Sequence, residues 1–166
     1  AHFATEDIDY YDRDGVIWCV NIEDVNANLP PSLRQKLSEQ RADIFTRDIL
    51  EDVAHNFTSL QALSDQPFAL FFEPASTVNR IANQYALFSA VSDPAVTLLD
   101  LPESECFVRL IISKKAKLEI RDKLDYINIS ERMIYPGLDG ICRWIARRYA
   151  PLGPRYNAEH AKEEQP

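Results

Sequence analysis

A chain of 166 residues has room for one ordinary domain with a real core. Apolar side chains make up 46% and charged ones 27%, the balance of a globular protein, and no apolar run approaches the ~20 residues that span a bilayer. A formal net charge of −8 is ill suited to tracking a phosphate backbone, so neither nucleic acid nor a membrane is expected as a partner.

The charge is uneven. Residues 1–105 carry 18 acidic and 6 basic side chains, whereas residues 106–150 carry 10 basic and 5 acidic ones. The basic last third can pair with the acidic part of the same domain or present a local anion-attracting face. Cys19, Cys106 and Cys142 are dispersed among apolar neighbours. That pattern predicts buried thiols in a reducing compartment, and hence a cytoplasmic location. The chain opens on "AHFAT" without an initiator methionine, which reads as the end of an apolar element cut in the middle.

In chain order, "GVIWCVNI" (15–22) follows turn formers and is rich in β-branched and aromatic residues, which predicts a buried strand. "LPPSLRQKL" predicts a helix capped by Ser32, with Gln35 as its capping-box partner. From 43 to 63 the apolar residues Ile44, Phe45, Ile49, Val53, Phe57 and Leu60 fit one amphipathic helix broken near Asn56. "FALFFEP" predicts a second buried strand ended by Pro74. A helical turn over 78–84 and a strand over 87–91 follow, then a short edge strand in "VTLLDL". "CFVRLIIS" is a strand, with Ser113 as cap of a helix whose buried stripe is Ala116, Ile120, Leu124 and Ile127. Asn128 suits a left-handed helix end, and Ser130 can cap one further turn. In "MIYPGLDGICRWIARRYAP", Asp139 or the Gly137 backbone caps a last helix that buries Leu138, Ile141, Cys142, Ile145 and Tyr149. The pattern predicts an α+β (mixed α/β) fold, with a single sheet of about four to six strands packed by about three to five helices. Residues 1–150 read as one domain and 151–166 as a frayed or disordered tail.

Several chemistries have no support. The four glycines build neither a dinucleotide nor a P-loop phosphate cradle. His2, His55 and His160 are isolated, and there is no CxxC pair, HExxH or GxSxG. No metal site and no cofactor are expected. The stretch richest in functional polar groups is "FEPASTVNRIANQYALFS" (72–89), where Glu73, Asn79, Arg80, Asn83 and Gln84 gather as a buried strand exits. Such a junction is a common place for a ligand site, and equally for side chains that satisfy an irregular backbone.

That stretch, together with "AHFAT", "DGVIWCVNIEDVN" and "LEIRDKLDYINISERMIYPGLDGICRWI", resembles the FRG domain family. The segments come in the family's order over about residues 1–150. The chain departs from the family at Gly137, where a second aspartate is usual, and at Asn128, where glycine is frequent. The resemblance implies the C-terminal part of an FRG-type domain, with the Phe-Arg-Gly motif upstream of Ala1 and the remaining N-terminal half as its first partner. It also implies a bacterial or phage-associated protein of poorly defined activity, sometimes in a defence or toxin-like setting.

The implied role is ligand or partner binding, with Arg80, Gln84, Asn79 and Asn83 as contacts for a small molecule or protein. An alternative is an NAD-dependent ADP-ribosyltransferase-like enzyme, since the family's segments loosely resemble that layout. Asn83 and Gln84 stand where such chemistry needs an acid, which leaves Glu73 as the nearest candidate. A scaffold domain without a small-molecule site is the third reading.

Overall fold

The computed structural model describes residues 1–75, 77–101 and 105–150. The chain divides into two compact units, Ala1–Trp18 with Arg109–Pro166, and Cys19–Val108. The second is thus inserted into the first, where the sequence suggests one continuous domain. The predicted tail at 151–166 lies outside the described residues.

The class is α+β, as expected. Among the described residues there are nine α-helices and five strands. The strands form two sheets, of two and three strands, rather than one. β1 (Gly15–Val20) pairs with β5 (Phe107–Ile112), and each strand contributes residues to both units. β5 forms where a strand is predicted, but β1 is not the buried strand expected over 15–22. Val16, Trp18, Val108, Leu110 and Ile111 are all exposed, because this ribbon lacks the cover that a buried strand needs on both faces. Cys19 and Cys142 are also exposed and Cys106 is half-buried, so the expectation of buried thiols is corrected.

The inserted unit is built around an apolar cluster. α2 (Ile22–Ala27) starts at Asn21, whose side chain accepts the Glu23 amide, and it was not foreseen from the sequence. α3 (Pro31–Gln40) begins on Pro31 rather than with Ser32 as cap. Proline at the first helical position has its φ already set and lacks only an amide that would be unpaired there.

The helix predicted over 43–63 forms only in part, as two short helices with the break near Asn56 that the sequence indicates. β2 (Phe45–Thr46) pairs in parallel with β3 (Ala69–Glu73), placing Phe45 beside Phe72 and Thr46 beside Glu73. Thr46 then caps α4 (Arg47–Glu51), and Asn56 forms a capping box with Ser59 to open α5 (Phe57–Gln61). Two local caps and one strand pairing have displaced a continuous periodicity. β4 (Phe88–Val91) completes the sheet antiparallel to β3. Leu29, Leu33, Leu37, Phe45, Phe68 and Leu70 form the buried cluster. "VTLLDL" is a 3₁₀ turn closed by a Thr97–Asp100 capping box, not a strand.

The other unit is built around charge. It contains α1 (His2–Thr5), α7 (Lys117–Tyr126), α8 (Glu131–Ile134) and α9 (Leu138–Tyr149). A 3₁₀ turn (Lys114–Ala116) precedes α7, and the Lys114 amide donates to Asp14 Oδ1 at 2.8 Å. Ser113 makes no side-chain cap. α7 buries Lys117, Arg121 and Leu124, whereas Ile127 of the predicted stripe is exposed.

α9 corrects its prediction most sharply. Leu138, Ile141, Cys142, Ile145 and Tyr149 all face outward, and Gly140 is its buried residue. Gly137 does occupy the N-cap, at φ 95°, a backbone conformation that glycine adopts without strain. Asp139 does not cap the helix. It accepts from Arg143 Nε at 3.1 Å.

Candidate functional site

β3 ends at Glu73, and the backbone passes through Pro74 to α6 (Asn79–Asn83). α6 terminates in a pair of closing hydrogen bonds, Tyr85 N–H to the Ala82 carbonyl at 3.1 Å and Ala86 N–H to the Ile81 carbonyl at 3.2 Å. That closure needs a left-handed residue, usually glycine. Here it is Tyr85, at φ 49°. Arg41 and Asn128 end α3 and α7 in the same conformation, at φ 52° and 63°. The asparagine fulfils the sequence expectation for position 128. A tyrosine in this conformation costs roughly 1 kcal/mol relative to glycine.

The turn leaves the Tyr85 ring 91% exposed. It lines a hollow of about 520 Å³ together with Ile44, Glu73, Ile81, Ala82, Ala86 and Leu87. Six of the seven lining residues are apolar or aromatic, and Glu73 is the one carboxylate among them. Its carboxylate has no hydrogen-bond or ion-pair partner among the described residues. The parallel register places it beside Thr46 at the end of the strand pair.

Of the five residues singled out in the sequence, only Glu73 lines this hollow. Asn79 and Arg80 are exposed on α6, and Asn83 and Gln84 are half-buried at its end. Arg80, Asn83 and Gln84 each engage other groups. The structure therefore gathers Glu73 with Tyr85 and the aliphatic residues of 81–87, and leaves the amides and Arg80 outside the lining. Tyr85 was missed because its role depends on a helix-ending conformation that tyrosine seldom adopts. Nothing in its neighbours announces it.

The second concentration of polar groups lies in the other unit and was not visible in the sequence. Arg121 and Glu131 are 1% and 3% exposed and form a direct ion pair. Arg147 Nε donates to Glu131 Oε1 at 2.7 Å, and its Nη2 donates to both Asp125 oxygens at 2.8 Å. Burial alone would weaken the Arg147 charge, but the hydrogen bonds to Asp125 and Glu131 outweigh it and hold the guanidinium pKa above its usual value.

His2 Nδ1 lies 2.6 Å from Arg121 Nη1, which fixes it as the acceptor and places the ring proton on Nε2. Burial and the Arg121 charge lower the His2 pKa to about 4, with Glu131 opposing them. Lys117, also buried, donates to the Tyr10 carbonyl at 2.8 Å. Burial lowers its pKa and raises that of Tyr11 beside it.

These groups are largely spent on one another. Their arrangement ties α1, α7, α8 and α9 together. A depression of about 440 Å³ on this unit is lined by Asp122, Asp125, Tyr126 and Arg148, but Asp125 is already taken by Arg147. Among the described residues no group of three or more His, Cys, Asp or Glu side chains is placed to hold a metal ion. No helix among them is long and apolar enough to cross a membrane.

The class these features define is an α+β protein of two compact units, one of which carries an open, apolar-lined hollow whose carboxylate has no partner among the described residues. Comparisons with protein-family models, with curated proteins and with solved structures find no match to the chain.

Proposed function

We propose that this chain is a binding domain of the FRG type, and that the hollow between the end of β3 and the turn after α6 is where its ligand or partner docks. The observation that carries the reading is Tyr85. A tyrosine is kept in a left-handed position that glycine fills at lower cost, and its ring stands in solvent at the mouth of an apolar-lined hollow. Strain of this kind persists where the surrounding structure enforces it, and it concentrates at sites with a job to do. Glu73 supports the reading, because its carboxylate has no hydrogen-bond or ion-pair partner among the described residues.

The test is a thermal-shift screen of the full chain against nucleotides including NAD, small amines and short peptides. Hits are repeated on Tyr85→Ala, Glu73→Ala and Arg80→Ala. The expected result is a stabilising ligand whose shift is lost in the first two variants and retained in the third. A shift abolished only by Arg80→Ala would move the site onto α6. Consumption of NAD that disappears in Glu73→Ala would replace the binding reading with a transferase one.

A further inference from the structure

The inserted unit carries 13 acidic and 5 basic side chains, so the whole formal charge of −8 resides in it, and the remainder of the chain is neutral. Against that background the hollow is selective in its chemistry. A ligand that covers Glu73 strips water from a carboxylate that has no partner among the described residues. Desolvating such a group is costly unless the ligand supplies a hydrogen-bonded opposite charge. A neutral apolar occupant would bear that cost and an anion would be repelled. A cation with an aliphatic stem meets every lining residue. Ile44, Ile81, Ala82 and Leu87 take the stem, Glu73 pairs with the head, and the Tyr85 ring offers its face to the charge.

We propose that the hollow receives a lysine or arginine side chain of a partner polypeptide. This rests on the binding reading above and specifies its occupant. A free amine is the poorer fit because Glu73 and Tyr85 are both exposed, and a small molecule there would remain largely in water. A polypeptide brings its own rim to exclude that water. It also finds apolar surface to lie on, since Val78, Leu87 and Phe88 are exposed along the same segment.

The experiment follows amide chemical shifts of the full-length chain on titration with acetyl-Gly-Lys-Gly-amide and acetyl-Gly-Arg-Gly-amide. Controls are the Glu and norleucine peptides of the same frame and n-butylamine. The basic peptides are expected to shift residues 44, 73, 81, 82 and 85–87 in a saturable way. Glu73→Gln is expected to weaken binding about tenfold. Tyr85→Gly also weakens it while leaving the melting temperature the same or higher, which separates loss of the ring from loss of the fold. Norleucine binding without lysine or arginine binding would overturn the cationic occupant and leave the hollow as a binding site. Equal binding of n-butylamine would overturn the polypeptide source. Basic-peptide shifts unchanged by Glu73→Gln would overturn the pairing. If no probe moves these residues, this inference falls, whereas the binding reading falls only if the thermal-shift screen also finds no ligand.

Discussion

His2 shows how much one side chain's environment decides. In the sequence it is an isolated histidine near the first residue. In the fold it is 5% exposed and accepts a hydrogen bond from a buried arginine. Its pKa is lowered from 6.5 to about 4, so the folded state resists a proton that the unfolded chain accepts. The neutral ring therefore contributes stability that is fully present above about pH 6.5 and is lost as pH falls toward 4. The loss across that window is on the order of 3 kcal/mol. Urea unfolding at stepped pH should show this slope in the wild type, and His2→Leu should flatten it. A slope unchanged by the substitution would assign the acid sensitivity to other groups. Tyr85 makes the complementary point, since its backbone strain is invisible in composition and periodicity alike.

At the level of elements, α9 reverses a prediction that its sequence supports strongly. The stripe Leu138, Ile141, Ile145 and Tyr149 is as regular as an amphipathic helix allows, yet it faces out. The opposite side wins because of two residues. Gly140 permits backbone contact with α8, where an added Cβ would lie 1.8 Å from the Tyr135 carbonyl oxygen and 2.6 Å from that of Glu131. Arg147, seven residues and so about two turns later, meets Asp125 and Glu131. Gly140→Ala should therefore cost more than about 3 kcal/mol, as a clash with backbone that cannot yield. Ile145→Gln should stay within about 0.5 kcal/mol. Chemical denaturation of both variants checks the orientation, and the reverse ranking would place the apolar stripe inward. The "PGLDG" segment thus uses its two glycines for different ends, positive φ at Gly137 and close approach at Gly140.

Across the whole molecule, the two units rest on different forces. Cys19–Val108 has an ordinary aliphatic and aromatic cluster. The other unit buries His2, Lys117, Arg121 and Glu131 beside a modest set of apolar side chains. Glu131 is the keystone of that ionic network, because both Arg121 and Arg147 pair with it. Glu131→Gln leaves buried arginine charge unmatched and should destabilise this unit by about 3–5 kcal/mol. Trp18 and Trp144 both belong to it, so intrinsic fluorescence in a denaturant titration reads the effect directly. A loss under about 1 kcal/mol would show that the network is stabilised by something other than these pairs.

Much of the fold was legible in the sequence for local reasons. β3, α6, β4 and β5 lie within a residue or two of their expected places, because apolar runs and turn formers act over a few residues. The left-handed Asn128 was legible for the same reason. Less legible was anything that depends on a distant partner. Phe45 has a helix-compatible spacing, but pairing with β3 made it a strand residue. Lys117 and Arg121 look like solvated helix positions, yet both are buried, Lys117 against Tyr10 and Tyr11 and Arg121 between His2 and Glu131. Of the polar residues near the candidate site, Glu73 stands at the strand exit as the sequence indicates, while Arg80, Asn79, Asn83 and Gln84 are not part of the hollow's lining.

Residue type and spacing alone set the α+β class, the strands at β3, β4 and β5 and the acidic bias. Tertiary structure alone decided which face of α9 is buried, which charges lose their water, and that Tyr85 and Glu73 share one hollow. Those outcomes depend on which groups from remote parts of the chain meet, and the balance there lies between desolvation, ion pairing and backbone clearance, none of which is a property of local sequence.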